Sequence, residues 1–86
     1  MPVYKKYVDM IVQYTEDGKI IPLAVRWAPG EIFEIDRVTD IRPCASLKAG
    51  GAGIRYTCEI KGREKYIWLE ESRWFVEAKD HTINAG

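Results

Sequence analysis

The feature that most constrains this chain is the alternation of apolar and polar residues on both sides of Asp17-Gly18. Both residues tolerate the positive φ that a two-residue type I′ hairpin turn demands, and successive strand side chains point to opposite faces of a sheet. Placing Glu16 opposite Lys19 brings Tyr14 to Ile21, Val12 to Leu23, Met10 to Val25 and Val8 to Trp27 on one face. Asp9 then meets Arg26 on the other. A slip of one residue would turn the whole apolar set into solvent, so strands are predicted over 3–14 and 20–27.

Register selects the next connection in the same way. A three-residue loop, Ala28-Pro29-Gly30, pairs Val25 with Phe33 and Leu23 with Ile35, whereas a two-residue loop sets Val25 against Glu34. The face shared by Phe33 and Ile35 is not continued by Val38 and Ile41, which implies a bulge near Asp36 and Arg37. Pro22 falls opposite Asp36, where a residue without an N–H suits an interrupted ladder. A strand bent there can serve both halves of a small barrel. Residues 43–53, rich in glycine and without strand period, read as a long loop. Gly62-Arg63 reads as a type II′ turn that pairs Lys61 with Glu64, Cys58 with Ile67 and Tyr56 with Leu69. A last strand, Trp74-Phe75-Val76-Glu77, follows a turn at Glu71-Ser72-Arg73, and the tail 78–86 is expected to be loose.

The expectation is therefore an all-β chain, a small SH3-like barrel of five to six antiparallel strands forming one domain over residues 1–77. An OB-like barrel is the alternative. OB-folds usually insert a helix where this chain has its glycine-rich segment.

A chain of 86 residues has room for one core. With 47% hydrophobic and 30% charged residues it has the composition of a globular protein. Thirteen basic side chains balance thirteen acidic ones, so the formal charge is zero, which disfavours a dedicated nucleic-acid module. No apolar run reaches membrane-spanning length, and Asp9 interrupts any export signal, so the expected location is cytoplasmic and no membrane partner is expected. Cys44, Cys58 and the single histidine, His81, fall short of a four-ligand zinc site; no metal and no cofactor are expected, and both cysteines are expected as free thiols.

Catalytic constellations are weak. The run from Lys48 to Gly53 leads into a strand, and its lysine precedes the glycines, unlike a phosphate-binding loop that opens a helix. Cys58 with His81 would need a third group to hold the imidazole still, and His81 sits in the polar tail. Glu70 and Glu71 would point to opposite faces of a strand. These readings favour a non-enzymatic protein.

The outward face of the last hairpin carries more. If Ile67 and Leu69 point inward, Tyr66 and Trp68 point outward, beside Arg55, Thr57, Lys61 and Arg63. Aromatic rings with arginine are what binding hot spots use, so Arg55, Thr57, Lys61, Arg63, Tyr66 and Trp68 form the candidate surface for a protein partner or a second copy of the chain. The same set could stack single-stranded bases, the alternative reading. Competing explanations are cover by the N-terminal strand, cover by an identical subunit, or Trp68 packed under the glycine-rich segment. Trp27 and Trp74 are expected in the core.

Asp17-Gly18, Ile21-Pro22, Trp27, Gly30, Asp36-Arg37-Val38, Asp40-Ile41-Arg42, the run Lys48 to Gly53, Arg55-Tyr56-Thr57 and Trp74-Phe75-Val76-Glu77 together resemble a group of small bacterial single-domain proteins. The resemblance covers residues 7 to 77. It implies one compact domain and brings no activity, ligand or catalytic residue with it.

Overall fold

The computed structural model describes residues 3–79 as one antiparallel sheet of seven strands. In chain order these are β1 (Val3–Tyr14), β2 (Ile20–Ala28), β3 (Glu31–Glu34), β4 (Arg37–Ser46), β5 (Gly51–Ile60), β6 (Arg63–Glu70) and β7 (Arg73–Lys79). The spatial order is β3-β2-β1-β7-β6-β5-β4. Every neighbour is also a sequence neighbour except β1 with β7, and the two edge strands, β3 and β4, are consecutive in the chain. The sheet is therefore curled, with its edges joined through Ile35 and Asp36. Ile35 N–H donates to the Leu23 carbonyl and Asp36 N–H to the Glu59 carbonyl, so this link is bonded to both halves.

The predicted bent third strand is thus two strands, the short β3 on β2 and the ten-residue β4 on β5, which raises the count from the expected five to six to seven. Pro22 has no partner at Asp36; it lies opposite Val12 and is fully buried. The reason is a bulge in the first hairpin. Asp9↔Arg26, Met10↔Val25 and Ile11↔Ala24 hold the predicted register, then the pairing shifts to Val12↔Pro22, Gln13↔Ile21 and Tyr14↔Ile20. Leu23 is the extra residue and leaves the core face. The turn is correspondingly longer than a type I′ pair: Thr15 N–H donates to the Lys19 carbonyl, Gly18 N–H to the Thr15 carbonyl, and only Gly18 takes a positive φ, 87°. Thr15 Oγ1 closes it further by bonding Asp17 and accepting from Lys19 N–H.

In the second hairpin Val25 meets Phe33 as expected, but a shift after Arg26 pairs Ala28 with Glu31 and leaves Pro29-Gly30 as the turn. Proline fixes the first central φ and Gly30 supplies the positive one, 81°. The β5–β6 turn is Lys61-Gly62, both at positive φ, so Ile60 meets Arg63, Tyr56 meets Ile67 and Arg55 meets Trp68. This register differs by two positions from the predicted one. A two-residue shift keeps every side chain on its face, which is why alternation alone did not exclude the wrong turn.

The concave face holds the core: Val25, Tyr56, Cys58, Ile67 and Trp74, flanked by Val8, Met10, Ile54 and Leu69 among others. The Tyr56 hydroxyl donates to the Ile20 carbonyl across the fold, 3.0 Å away, so the ring spans the interior with its polar end satisfied. Ala78 is buried and Lys79 is still in β7, so these two residues belong to the sheet rather than to a loose tail; 80–86 lie outside the described residues. Among the described residues no helix is long and apolar enough to cross a membrane.

Candidate functional site

The expected long loop at 43–53 is instead the end of a hairpin. β4 runs to Ser46, β5 starts at Gly51, and Gly50 closes the turn at φ 72° with its N–H on the Ser46 carbonyl. Beyond Ile54 this hairpin leaves the edge of β6 and crosses the convex face of β6, β7 and β1. Glycine makes the crossing possible. A Cβ on Gly53 would overlap the Leu69 carbonyl, and one on Gly51 would lie 3.1 Å from the Phe75 ring. The Ser46 hydroxyl donates to Glu77 at 2.7 Å and accepts from Ala49 N–H, which fixes the tip.

This roof decides the fate of the predicted surface. Trp68 points away from the core as expected, but it is only 2% exposed. It stacks on Phe75, centroids 5.3 Å apart and planes within 2°, and its indole N–H donates to the Cys44 carbonyl at 3.1 Å. Of the three competing explanations, packing under the glycine-rich segment is the one observed. Thr57 is buried too. Both are corrections to the candidate surface, and for Trp68 the cause is a hairpin that reads as loop in sequence because its strand positions are glycines.

The register lays Tyr7, Phe75, Trp68 and Arg55 side by side across β1, β7, β6 and β5. Tyr7 meets Phe75 edge-on, and Tyr66 meets Trp68 edge-on. Arginines cap both ends of this aromatic row: Arg73 lies 3.4 Å from the Tyr7 ring centroid and Arg55 lies 4.4 Å from that of Tyr66. Arg55 Nε is buried without a hydrogen-bond acceptor. Beside the row, Glu70 accepts from the Tyr7 hydroxyl at 2.7 Å and from Lys5 Nζ at 3.0 Å. These bonds, the tyrosine's first, hold the Glu70 carboxyl below its ordinary range, and the Glu70 bond raises Lys5.

Lys61 and Arg63 separate from this set. Alternation along β6 puts Arg63 and Lys65 on the concave side with Ile67, and Lys61 Nζ sits 4.9 Å over the Phe33 ring. There the curled sheet is open, forming a groove of about 720 Å³ between β3 and the β5–β6 hairpin. Its floor is Val25, Ile60, Ile67 and Val76, and its walls carry Trp27, Phe33 and the edge of Tyr66. Trp27 is 40% exposed, not a core residue, because the register shift after Arg26 falls on it. Lys6 Nζ covers its ring at 4.4 Å. The sequence signal for these residues was position: Trp27 and Phe33 flank a Pro-Gly turn, where the strand face runs past the end of the core.

Around the groove the cations outnumber the acids. Lys61, Arg63 and Lys65 line it together with Glu64 and Glu77, and the Glu77 carboxylate is engaged by the Ser46 hydroxyl.

Cys44 and Cys58 are free thiols. Cys58 is completely buried, and burial pushes its thiol up to about 11, which keeps it protonated and unreactive. His81, the other half of the considered dyad, lies outside the described residues. Comparison with models of known protein families, with curated proteins and with solved structures finds no match for the chain.

Proposed function

We propose that this protein is a non-enzymatic binding module whose groove takes an acidic segment of a protein partner, with one apolar side chain of that segment seated against Trp27 and Phe33. The observation that carries this reading is the groove itself, an apolar floor under a rim where Lys61, Arg63 and Lys65 outnumber Glu64 and a Glu77 already bonded to Ser46. Concave apolar sites with a few placed charges are where ligands bind, and a cationic rim favours acidic partners. The SH3-like reading of the fold accompanies it. Its support is the Ile35-Asp36 link bonded to both halves of the curled sheet and the tight turn, rather than a helix, between β4 and β5. A cytoplasmic setting accords with two unpaired thiols.

Single-stranded nucleic acid fits the groove less well. Lys6 and Lys61 already cover the faces of Trp27 and Phe33, so a base could stack there only by displacing a cation from each ring. Trp68, the strongest stacking residue of the predicted surface, is under the roof.

The test is selection from a library of random peptides displayed on phage, with an oligo-dT strand titrated in parallel. The expected outcome is enrichment of peptides that combine Asp or Glu with an aromatic or branched residue, and loss of their binding in Lys61→Glu and in Trp27→Ala. Enrichment indifferent to both variants would refute the groove. Oligo-dT binding that collapses with added salt would transfer the site to nucleic acid.

A further inference from the structure

On the convex side of β1, β2 and β3 lies a second apolar surface, on the opposite face of β2 and β3 from the groove and not roofed by any segment among the described residues. Ile11, Leu23 and Ile32 are 48%, 43% and 54% exposed there, around a buried Ala24. The bulge that removes Leu23 from the core adds it to this face, beside a shallow depression shared with Ile11, Ala24 and Ile32. Large exposed aliphatic side chains gathered around one point mark an association surface rather than scattered surface residues.

The charges bordering this face say what kind of partner fits it. Pairing across the three strands sets Asp9, Arg26 and Ile32 in one row and Ile11, Ala24 and Glu34 in the next. Arg26 and Glu34 therefore occupy opposite corners of a four-residue square whose other corners are Ala24 and Ile32. The ion pairs among the described residues are Lys5–Glu70, Lys19–Asp17, Arg37–Glu59 and Arg42–Asp40, so neither Arg26 nor Glu34 is used within the chain. A two-fold axis lying in this face and passing over Ala24 and Ile32 sets Arg26 of each copy against Glu34 of the other. It also packs Ile32 on Ile32. Arg26 and Glu34, of opposite sign across this diagonal, make the face complementary to itself at those corners, as a two-fold interface requires, with the exposed Asp9 as the neighbouring charge in the Arg26 row.

We infer that this protein self-associates as a two-fold dimer through the convex face of β1–β3, with Arg26 and Glu34 exchanged between copies around an Ile11, Leu23 and Ile32 centre. The inference does not depend on what the groove binds.

Sedimentation velocity over a concentration series tests it with the wild type, Arg26→Glu, Glu34→Arg and an equimolar mixture of the two variants. The wild type is expected to dimerise. Each reversal alone places like charges together and should raise the dimer dissociation constant about tenfold or more, while the mixture should recover wild-type association because each copy then meets its opposite. A monomeric wild type at every concentration would overturn the inference. So would a dimer indifferent to both reversals and to Ile32→Lys, or one abolished by Lys61→Glu, since that dimer would use another face.

Discussion

The two halves of the convex face have similar strands and opposite fates. Across β1, β7, β6 and β5 the outward side chains form an aromatic row, and the end of the β4–β5 hairpin covers its centre, so Phe75 and Trp68 are as buried as the main core. Across β1, β2 and β3 the outward side chains are aliphatic and nothing among the described residues covers them. The difference lies in reach: β5 continues past its partner strand on glycines that fit against backbone and ring, and β2 and β3 have no such extension. A side chain that alternation turns outward is at a surface only if no other part of the chain is long and slim enough to lie on it.

The sharpest way to break this contrast is to truncate one residue on each side. Phe75→Ala should cost about 3–5 kcal/mol in urea unfolding, as for a large side chain removed from a packed interior, whereas Ile32→Thr, at concentrations low enough to keep the chain monomeric, should stay within about 0.5 kcal/mol. Equal costs would mean that the covered layer is not a second core. Gly53→Ala should come next, at about 1–3 kcal/mol, because its methyl group pushes the hairpin off Leu69. Faster hydrogen exchange of the Trp68 indole N–H, released from the Cys44 carbonyl, would report that lifting directly.

The smallest effect sharpens the comparison through pH. Glu70 is held below its ordinary value of 4.5 by Tyr7, Lys5 and the Ala52 N–H, the last contributed by the roofing hairpin. Its contribution to stability is complete above that ordinary value and is lost as pH falls through the lowered folded value. Glu70→Gln should therefore flatten the acid side of the stability profile below 4.5, with little change at neutral pH beyond the loss of a solvent-screened pair. An unchanged acid limb would show that the network carries no stability.

Much of the sheet was legible in sequence because hydrophobic alternation fixes which side chains share a face, although at the β5–β6 hairpin it admitted a register two residues off. Met10 on Val25 and Val25 on Phe33 follow from it, and so does the inward set Tyr56, Cys58, Ile67 and Trp74. Bulges were harder to place. Leu23 and Trp27 were assigned to the core by patterns that continue smoothly; an extra residue turned Leu23 to the convex face, and the register shift at Trp27 left its ring on the wall of the groove. The candidate site was half legible. Tyr66 and Arg55 are where alternation puts them, on the convex side, and Lys61 and Arg63 line the groove on the other, but the burial of Trp68 depends on the path of residues 43–53. Glycines there signal freedom in a loop and close approach in a strand, and composition does not distinguish the two.

One strand ties all of this together. β1 gives its first half to β7 and its second half to β2, with the changeover between Val8 and Asp9. Every other pairing in the sheet joins strands that follow one another, so a growing or refolding chain can zip each from a nearby turn. The β1–β7 seam instead unites segments from opposite ends of the sequence, and the entropy of closing that span falls on a single ladder. The curled sheet is thus fastened at one late buckle, and assembly should be paced by how soon Tyr7 finds Phe75 rather than by any of the hairpins.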